Sequence, residues 1–325
     1  MNTTLKWTYM SNITIFIPTF RRPGKLARAL EYYSTTGIPV LVADGSERAF
    51  EGMVPANVCY HHKPAVDYAE RISSLLGDVT TEHIILAADD DFIVPDFILR
   101  ADSLLSLRPD CSSVFGQCYS FGEYKDEWHR IYAWAKAVEQ DSVSARLQAF
   151  FARYYPLYYV PTRTQLVRDI FLAFADCPVR VANLIELMFA ARLVIAGKVA
   201  VLDEPYTARE LPLETPRGVP FPGVLQLLAE DGTLKKAMSA LADQWLGASD
   251  SGVFEREILR PYGDLFLPWY EGRGLMRRAA ALVSRLTRAS ASPACVQETE
   301  AVRQIRRAVE RHAVHDCMVS HARAV

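Results

Sequence analysis

The chain has no disulfide framework. Its six cysteines (Cys59, Cys111, Cys118, Cys177, Cys295 and Cys317) show no CxxC spacing and no paired pattern, so they read as reduced thiols of a cytosolic protein rather than as bridges or zinc ligands. No GxxxxGK[ST] and no GxGxxG occurs, which removes the two common phosphate-cradling loops. No apolar run is long enough to span a bilayer. The first twelve residues are polar and lack the apolar stretch of a signal peptide, so a cytoplasmic location is expected. No internal repeat and no low-complexity tract is present. With a net charge of −2, whole-molecule attraction to nucleic acid is not expected. What remains is an ordinary globular composition: 325 residues, half of them hydrophobic and 23% charged, enough for one large domain or a domain with an appendage.

The small net charge hides an asymmetry. From Arg273 to Val325 there are ten Arg, no Lys and four acids, so +6, which leaves −8 on the first 272 residues. Within this tail, Leu275, Ala279, Leu282 and Leu286 recur at helical spacing among Arg277, Arg278 and Arg285. Such a helix can lie on an anionic membrane face as a peripheral contact, dock on a partner, or pack on the acidic body of its own chain.

Short β-branched runs alternate with helical patterns along the first two thirds. Strands are expected at Ile13–Ile17, Val40–Ala43, Asn57–Tyr60 and Ile84–Ala88. Helices are expected from Pro23 to about Thr36, with Pro23 in the first turn and Gly37 at the end, and over Val66–Leu76 and Pro95–Ser106. A strand at Val114–Tyr119 follows, then helices at Ser142–Arg153, Thr164–Phe174 and Val181–Ile195, and a strand at Lys198–Leu202. This alternation implies a parallel sheet with crossover helices. Five prolines between Glu204 and Gly223 mark a loop or boundary, beyond which the chain reads as mainly helical.

Chemistry concentrates where strands end. The strand Ile84–Ala88 runs into three adjacent carboxylates, Asp89, Asp90 and Asp91. Like charges so close need compensation, and carboxylates suit Mg²⁺ or Mn²⁺. The plain alternative is a solvated acidic turn before a helix. Asp44, just after the second strand in Ala43-Asp-Gly-Ser46, can accept from a base N–H or a ribose hydroxyl, or close an Asx turn. Three successive strand ends (Pro18-Thr19-Phe20, Asp44-Gly-Ser and Asp89-Asp-Asp) fall on one edge of such a sheet, where open α/β folds bind ligands. Glu186 lies on a helix that is apolar nearly all round, without a basic residue at i±3 or i±4. A carboxylate there is costly unless it serves a site or lies on the helix's one wet edge. Arg209 is expected in a mobile loop able to close over a diphosphate, or as a solvated loop charge; Arg71 either reaches a phosphate or lies on the surface. His61 and His62 point to opposite faces and read as loop residues, and the aromatic patches Trp128–Trp134 and Tyr154–Tyr159 read mostly as core.

Ile13-Thr-Ile-Phe-Ile-Pro-Thr-Phe-Arg-Arg-Pro23, Ala43-Asp-Gly-Ser46 and Ala87-Ala-Asp-Asp-Asp-Phe-Ile-Val-Pro95 together resemble the GT-A nucleotide-sugar glycosyltransferases, in particular the inverting family 2-like branch. The resemblance covers roughly residues 1–210 and leaves 211–325 as a helical region with the Arg-rich tail. It implies a GT-A fold, meaning a Rossmann-like, mostly parallel sheet flanked by helices, here with a mainly helical C-terminal extension. It implies Asp44 as reader of the nucleotide base, Asp89 near the ribose or donor sugar, and Asp90, with Asp91 beside it, as ligands of Mn²⁺ or Mg²⁺ in a DxD-type motif. Pro18, Thr19, Phe20, Arg22, Arg71 and Arg209 join the nucleotide and donor site. Arg192-Leu193 and Gly197 match the ending of the family's base-bearing helix, which makes Glu186 the catalytic base although Ile185 replaces the first acid of the family's pair. The implied partners are a nucleotide-diphosphate sugar, a UDP-sugar by expectation, and a glycan or glycolipid acceptor in bacterial surface polysaccharide or glycoconjugate synthesis.

Two alternatives stand beside this reading. A sugar-1-phosphate nucleotidyltransferase shares a similar sheet and metal acids but relies on a Gly-rich loop that Pro18-Thr-Phe-Arg-Arg-Pro-Gly24 does not supply. A non-catalytic nucleotide-sugar binding module fits the missing acid at Ile185.

Overall fold

The computed structural model describes residues 11–122, 125–177, 180–210, 227–247 and 252–270, together with residues 303 and 306. Apart from residues 303 and 306, the Arg-rich tail with its expected amphipathic helix lies outside the described residues, as does most of the proline-rich segment. Among the described residues, nine strands form one sheet in the order β3-β2-β1-β4-β8-β6-β9-β5, with β7 pairing β6. Its first half is the expected Rossmann-like unit. Strands β1 (Ile13–Thr19), β2 (Val40–Asp44), β3 (Val58–His62) and β4 (His83–Leu86) pair in parallel. The second half is mixed: β6 (Cys111–Gly122) runs parallel to β9 (Lys198–Glu210), while β5 (Phe92–Ile93), β7 (Lys125–Ile131) and β8 (Thr162–Arg163) pair antiparallel.

Local sequence accounts for the crossovers. Helix α1 (Pro23–Ser34) starts on Pro23, buries Leu26, Ala29, Leu30 and Tyr33 at helical spacing, and is followed by Gly37 at φ +68°, a left-handed turn that favours glycine. Helix α2 (Tyr68–Leu76) is capped by Asp67, whose side chain accepts from Ala69 N at 3.1 Å. Helix α3 (Pro95–Leu107) again begins on a proline and turns Phe97, Ile98, Ala101 and Leu105 to the sheet. Helices α4 (Val143–Phe151) and α5 (Thr164–Ala175) follow as expected.

Helix α6 (Ala182–Ala196) is buried along nearly its whole length. Its last carbonyls are held by the buried Arg146 of α4, which donates to Val194 O at 2.9 Å and Ile195 O at 3.0 Å. A guanidinium there satisfies the helix C-terminus and favours its dipole. Beyond residue 226, α7 (Gly232–Leu246), a π-helical turn (Phe254–Leu259) and α8 (Arg260–Tyr270) give the expected helical character. Their Met238, Leu241, Phe254, Ile258 and Tyr262 join the same core as the sheet. Each such side chain contributes about 1.5–3 kcal/mol by leaving water. None of the described helices is long and apolar enough to cross a membrane.

Two expectations change. Arg209 was expected in a loop, but β9 continues through Glu210, because its outer half pairs with both β6 and β5. His61 and His62 belong to β3 rather than to a loop, paired with Ala43 and Asp44.

Candidate active site

Parallel pairing brings the strand ends together. Thr19 is the register partner of Asp44, and Phe16 that of Leu86. Gly45 N donates to Thr19 O at 3.0 Å, and Ala87 N to Phe16 O at 2.9 Å. The loops after β1, β2 and β4 therefore leave from one edge of the sheet. The first two are tied together: Arg21, at a left-handed φ of +58°, donates its N–H to Ser46 Oγ at 2.8 Å. Such a conformation is unfavourable for a residue with a side chain and needs surrounding contacts to persist. It delivers Arg22 to the mouth of α1 facing the acids. Phe20 stands half exposed at the rim of this edge, with the Arg21 guanidinium over its ring at 4.8 Å.

The acidic run does not form one cluster. Ala88–Asp91 is a turn closed by Asp91 N donating to Ala88 O at 3.3 Å, so Asp89 and Asp90 occupy its tip and Asp91 leaves on the other side. Asp89 is buried and accepts from Thr19 Oγ1 at 2.5 Å. Arg22 spans its neighbours, with Nη2 2.5 Å from Asp89 Oδ1 and Nη1 2.5 Å from Asp90 Oδ2. Burial pushes the Asp89 carboxyl up to about 6, against the opposite pull of Arg22 and Thr19.

Asp91, expected beside Asp90 as a metal ligand, instead turns inward. It accepts from Arg209 Nε at 3.1 Å and from Glu210 N at 3.2 Å. Burial raises its carboxyl and Arg209 lowers it. Glu210 is in turn paired with Lys25 and Arg28 of α1. The compensation that the acidic run demands is thus supplied by guanidinium groups. Among the described residues, no three His, Cys, Asp or Glu side chains form a group able to hold a metal ion. Asp89 and Asp90 still offer hard oxygen donors around a cation, here Arg22. Mg²⁺ and Mn²⁺ at phosphate sites commonly take only one or two carboxylates and complete their shell with phosphate and water, so these residues fit that kind of ion.

Asp44 realises the Asx turn: Ser46 N donates to its Oδ1 at 2.8 Å, while Tyr60 OH donates to its Oδ2 at 2.6 Å. Both oxygens keep a lone pair, and Asp44 lines a cavity of about 500 Å³ with Thr19, Arg21, Ser46, Phe50 and Gly52. Tyr60 OH also accepts from Phe50 N at 2.7 Å, which fixes the cavity wall. Arg71 is not on the surface. It is buried beneath Gly45, so close that a Cβ at Gly45 would lie 1.5 Å from Arg71 Nη1. Among the described residues no carboxylate bonds it and its Nε has no hydrogen-bond partner, and burial lowers its pKa. Gly45 is required for this close approach, a signal that the Asp-Gly pair carried in sequence only as a turn.

Glu186 sits half-buried on α6 with a carboxyl raised by burial and lowered by Arg209. Burial raises the phenols of Tyr68, Tyr132, Tyr154, Tyr158, Tyr159 and Tyr262, and the nearby charge of Glu186 adds to that rise. Arg209 lies over the Tyr159 ring at 5.0 Å and joins this environment to Asp91. Of these aromatics, Tyr132 and Tyr154–Tyr159 belong to the two aromatic patches that the sequence shows, and both patches read mostly as core. Tyr68 and Tyr262 come from distant segments that no local pattern connects to those patches.

No known sequence family matches the chain, and no curated protein matches it. Among solved structures it is similar to S. aureus TarS, with 12% identity and a TM-score of 0.42, over 78% of this chain and 48% of that one. It therefore spans about half the length of that TarS chain. It is also similar to TarS 1–349 solved with UDP-GlcNAc (11% identity, TM-score 0.44, 78% of this chain and 79% of that one). The same fragment solved with UDP matches at 14% identity and a TM-score of 0.44, over 76% of this chain and 75% of that one.

Proposed function

We propose that this protein is an inverting glycosyltransferase that moves a sugar from a nucleotide diphosphate, a UDP-sugar by the motif resemblance, to a hydroxyl of a glycan or glycolipid acceptor. The observation that carries the reading is the meeting of three parallel strand ends, bearing Thr19, Asp44 and Asp89-Asp90, at one edge of the sheet. The Asp44 cavity suits a base and ribose, and the Asp89–Asp90 turn suits the diphosphate end. Asp90, with Asp89 behind it, would hold a Mg²⁺ or Mn²⁺ ion, which when bound supplies the positive charge that a departing diphosphate needs.

The chain's own residues account for the remaining chemistry. The acceptor oxygen attacks the anomeric carbon, the bond from that carbon to the diphosphate oxygen breaks with its electron pair, and Glu186 takes the hydroxyl proton. A single attack opposite the leaving group inverts the anomeric centre. The raised carboxyl of Glu186 suits a base working near neutral pH. Tyr159, lying under the Arg209 guanidinium near this acid, offers an aromatic face to a sugar ring. Synthesis of a bacterial surface polysaccharide or other glycoconjugate is the proposed setting.

A thermal-shift and calorimetric screen of nucleoside diphosphates, followed by transfer assays with the sugar nucleotides of the best binder, tests the reading. Saturable binding of one nucleoside diphosphate, reduced by Asp44→Ala, is the expected result. Release of pyrophosphate from a nucleoside triphosphate and a sugar 1-phosphate would assign the site to a nucleotidyltransferase instead.

A further inference from the structure

One guanidinium holds two carboxylates at the tip of the acidic turn. Arg22 approaches Asp89 and Asp90 at 2.5 Å each, and Thr19 fixes Asp89 from the opposite side, also at 2.5 Å. The Asp89 side chain is fully buried, whereas 46% of the Arg22 side chain is exposed. The acids are thus the floor of this seat and Arg22 is its solvent-facing occupant.

The charges at this edge balance without a nucleotide: Asp89, Asp90, Asp91 and Glu210 meet Arg22, Arg209, Lys25 and Arg28. Asp91 is matched by Arg209, and Glu210 by Lys25 and Arg28, so those cations are committed. Asp89 and Asp90 carry two negative charges against the single charge of Arg22. An arriving diphosphate, negative itself, therefore brings charge that none of these paired cations is free to offset. A divalent ion would neutralise both carboxylates, but the oxygens it needs are those that Arg22 now occupies. A guanidinium and a metal ion cannot share them.

We propose that Arg22 is an exchangeable seat-holder: in the free protein it neutralises Asp89 and Asp90, and when a nucleotide diphosphate brings a divalent ion it gives up the carboxylates and turns to the diphosphate. This rests on the nucleotide-sugar reading above. It assigns Arg22 two opposed effects. It competes with the metal ion alone and assists the nucleotide. Mn²⁺ and nucleotide therefore bind the wild type far better together than either does alone, because only together do they replace the ion pairs that Arg22 surrenders. One arm of its fork hydrogen-bonds Asp90 Oδ2 while the other stands in ion-pair contact with Asp89 Oδ1, a span that a lysine ammonium does not match.

The test measures Mn²⁺ binding from the electron paramagnetic resonance signal of free Mn²⁺, and UDP binding by calorimetry with Mn²⁺ and with EDTA. It compares wild type, Arg22→Gln and Arg22→Lys, each checked for a wild-type circular dichroism spectrum. Removing a charge-assisted partner is expected to change affinity about tenfold or more. Arg22→Gln should bind Mn²⁺ alone about tenfold tighter and UDP with Mn²⁺ about tenfold weaker, with Arg22→Lys between the two. A role confined to phosphate binding, or to structure, moves nothing toward tighter metal binding. Unchanged or weaker Mn²⁺ affinity in Arg22→Gln overturns the proposal, as does wild-type UDP affinity that is the same in EDTA and Mn²⁺. Failure of the wild type to bind UDP under either condition overturns the proposed function, and the exchange with it.

Discussion

Asp91→Asn separates a structural from a metal-binding role for the third acid of the run. The side chain of Asp91 is 5% exposed and that of Arg209 is 25% exposed, with the two joined at 3.1 Å. Neutralising Asp91 leaves Arg209 over the Tyr159 ring without its counter-charge and weakens the acceptor for Glu210 N. Breaking a buried pair from one side costs about 3–5 kcal/mol, and the partial exposure of Arg209 favours the lower end. For a chain of this size each kcal/mol moves the midpoint by about 2–4 °C, so the melting temperature should fall by roughly 6–12 °C. Urea denaturation should show a lower midpoint with the slope unchanged. Adding Arg209→Gln should restore part of the loss, because the uncompensated charge is gone, which gives a measurable coupling between the two sites. Mn²⁺-dependent UDP binding should survive in Asp91→Asn. A variant with wild-type stability but no metal-dependent binding would refute this reasoning and return Asp91 to the role of ligand.

Glu186→Gln keeps size and hydrogen bonding but cannot take a proton, so transfer should fall by ~10²-fold or more while UDP affinity holds; near-wild-type turnover would rule Glu186 out as the base. The acid limb of kcat/KM should lie above the ordinary carboxylate range, since burial raises Glu186 and activity is lost as pH falls through that raised value. Because Arg209 opposes the rise, Arg209→Gln should move the limb to still higher pH, and a shift to lower pH would contradict the assignment. Asp44→Ala removes the acceptor for Ser46 N and Tyr60 OH and should weaken UDP binding in Mn²⁺ and in EDTA by the same factor. A change in the ratio of the two affinities would link Asp44 to the metal rather than to the base or ribose.

Much of the parallel half of the sheet was legible in the sequence because its determinants are local. Ile13–Ile17 and Val40–Ala43 are short buried runs, Pro23 and Pro95 start their helices, and Ser142 and Asp67 cap theirs. With crossover helices between them, parallel strands must end on the same edge, so Thr19, Asp44 and Asp89 were placed together by order alone. The isolation of Glu186 on an apolar helix was equally visible, since helical spacing names its neighbours. The second half of the sheet was less so. β8 is only Thr162–Arg163, and the outer half of β9 is held as a strand by pairing with β6 and β5, contacts between segments far apart in the chain.

The chemistry of the acidic run was decided by tertiary structure. Adjacent carboxylates in a sequence announce a like-charge problem but not its solution, and the expectation of a metal ion at both Asp90 and Asp91 rests on treating neighbours in the chain as neighbours in space. The turn at Ala88–Asp91 divides them, and cations from separate elements meet each part: Arg22 from the mouth of α1 and Arg209 from β9. The same holds for Arg71, whose burial under Gly45 depends on how α2 packs beneath the end of β2, and for the tyrosines brought near Glu186. Sequence determines which charges must be compensated, because that follows from neighbours along the chain. Which groups compensate them depends on distances across the fold, and the Coulomb interaction between side chains is set by those distances and not by separation in sequence.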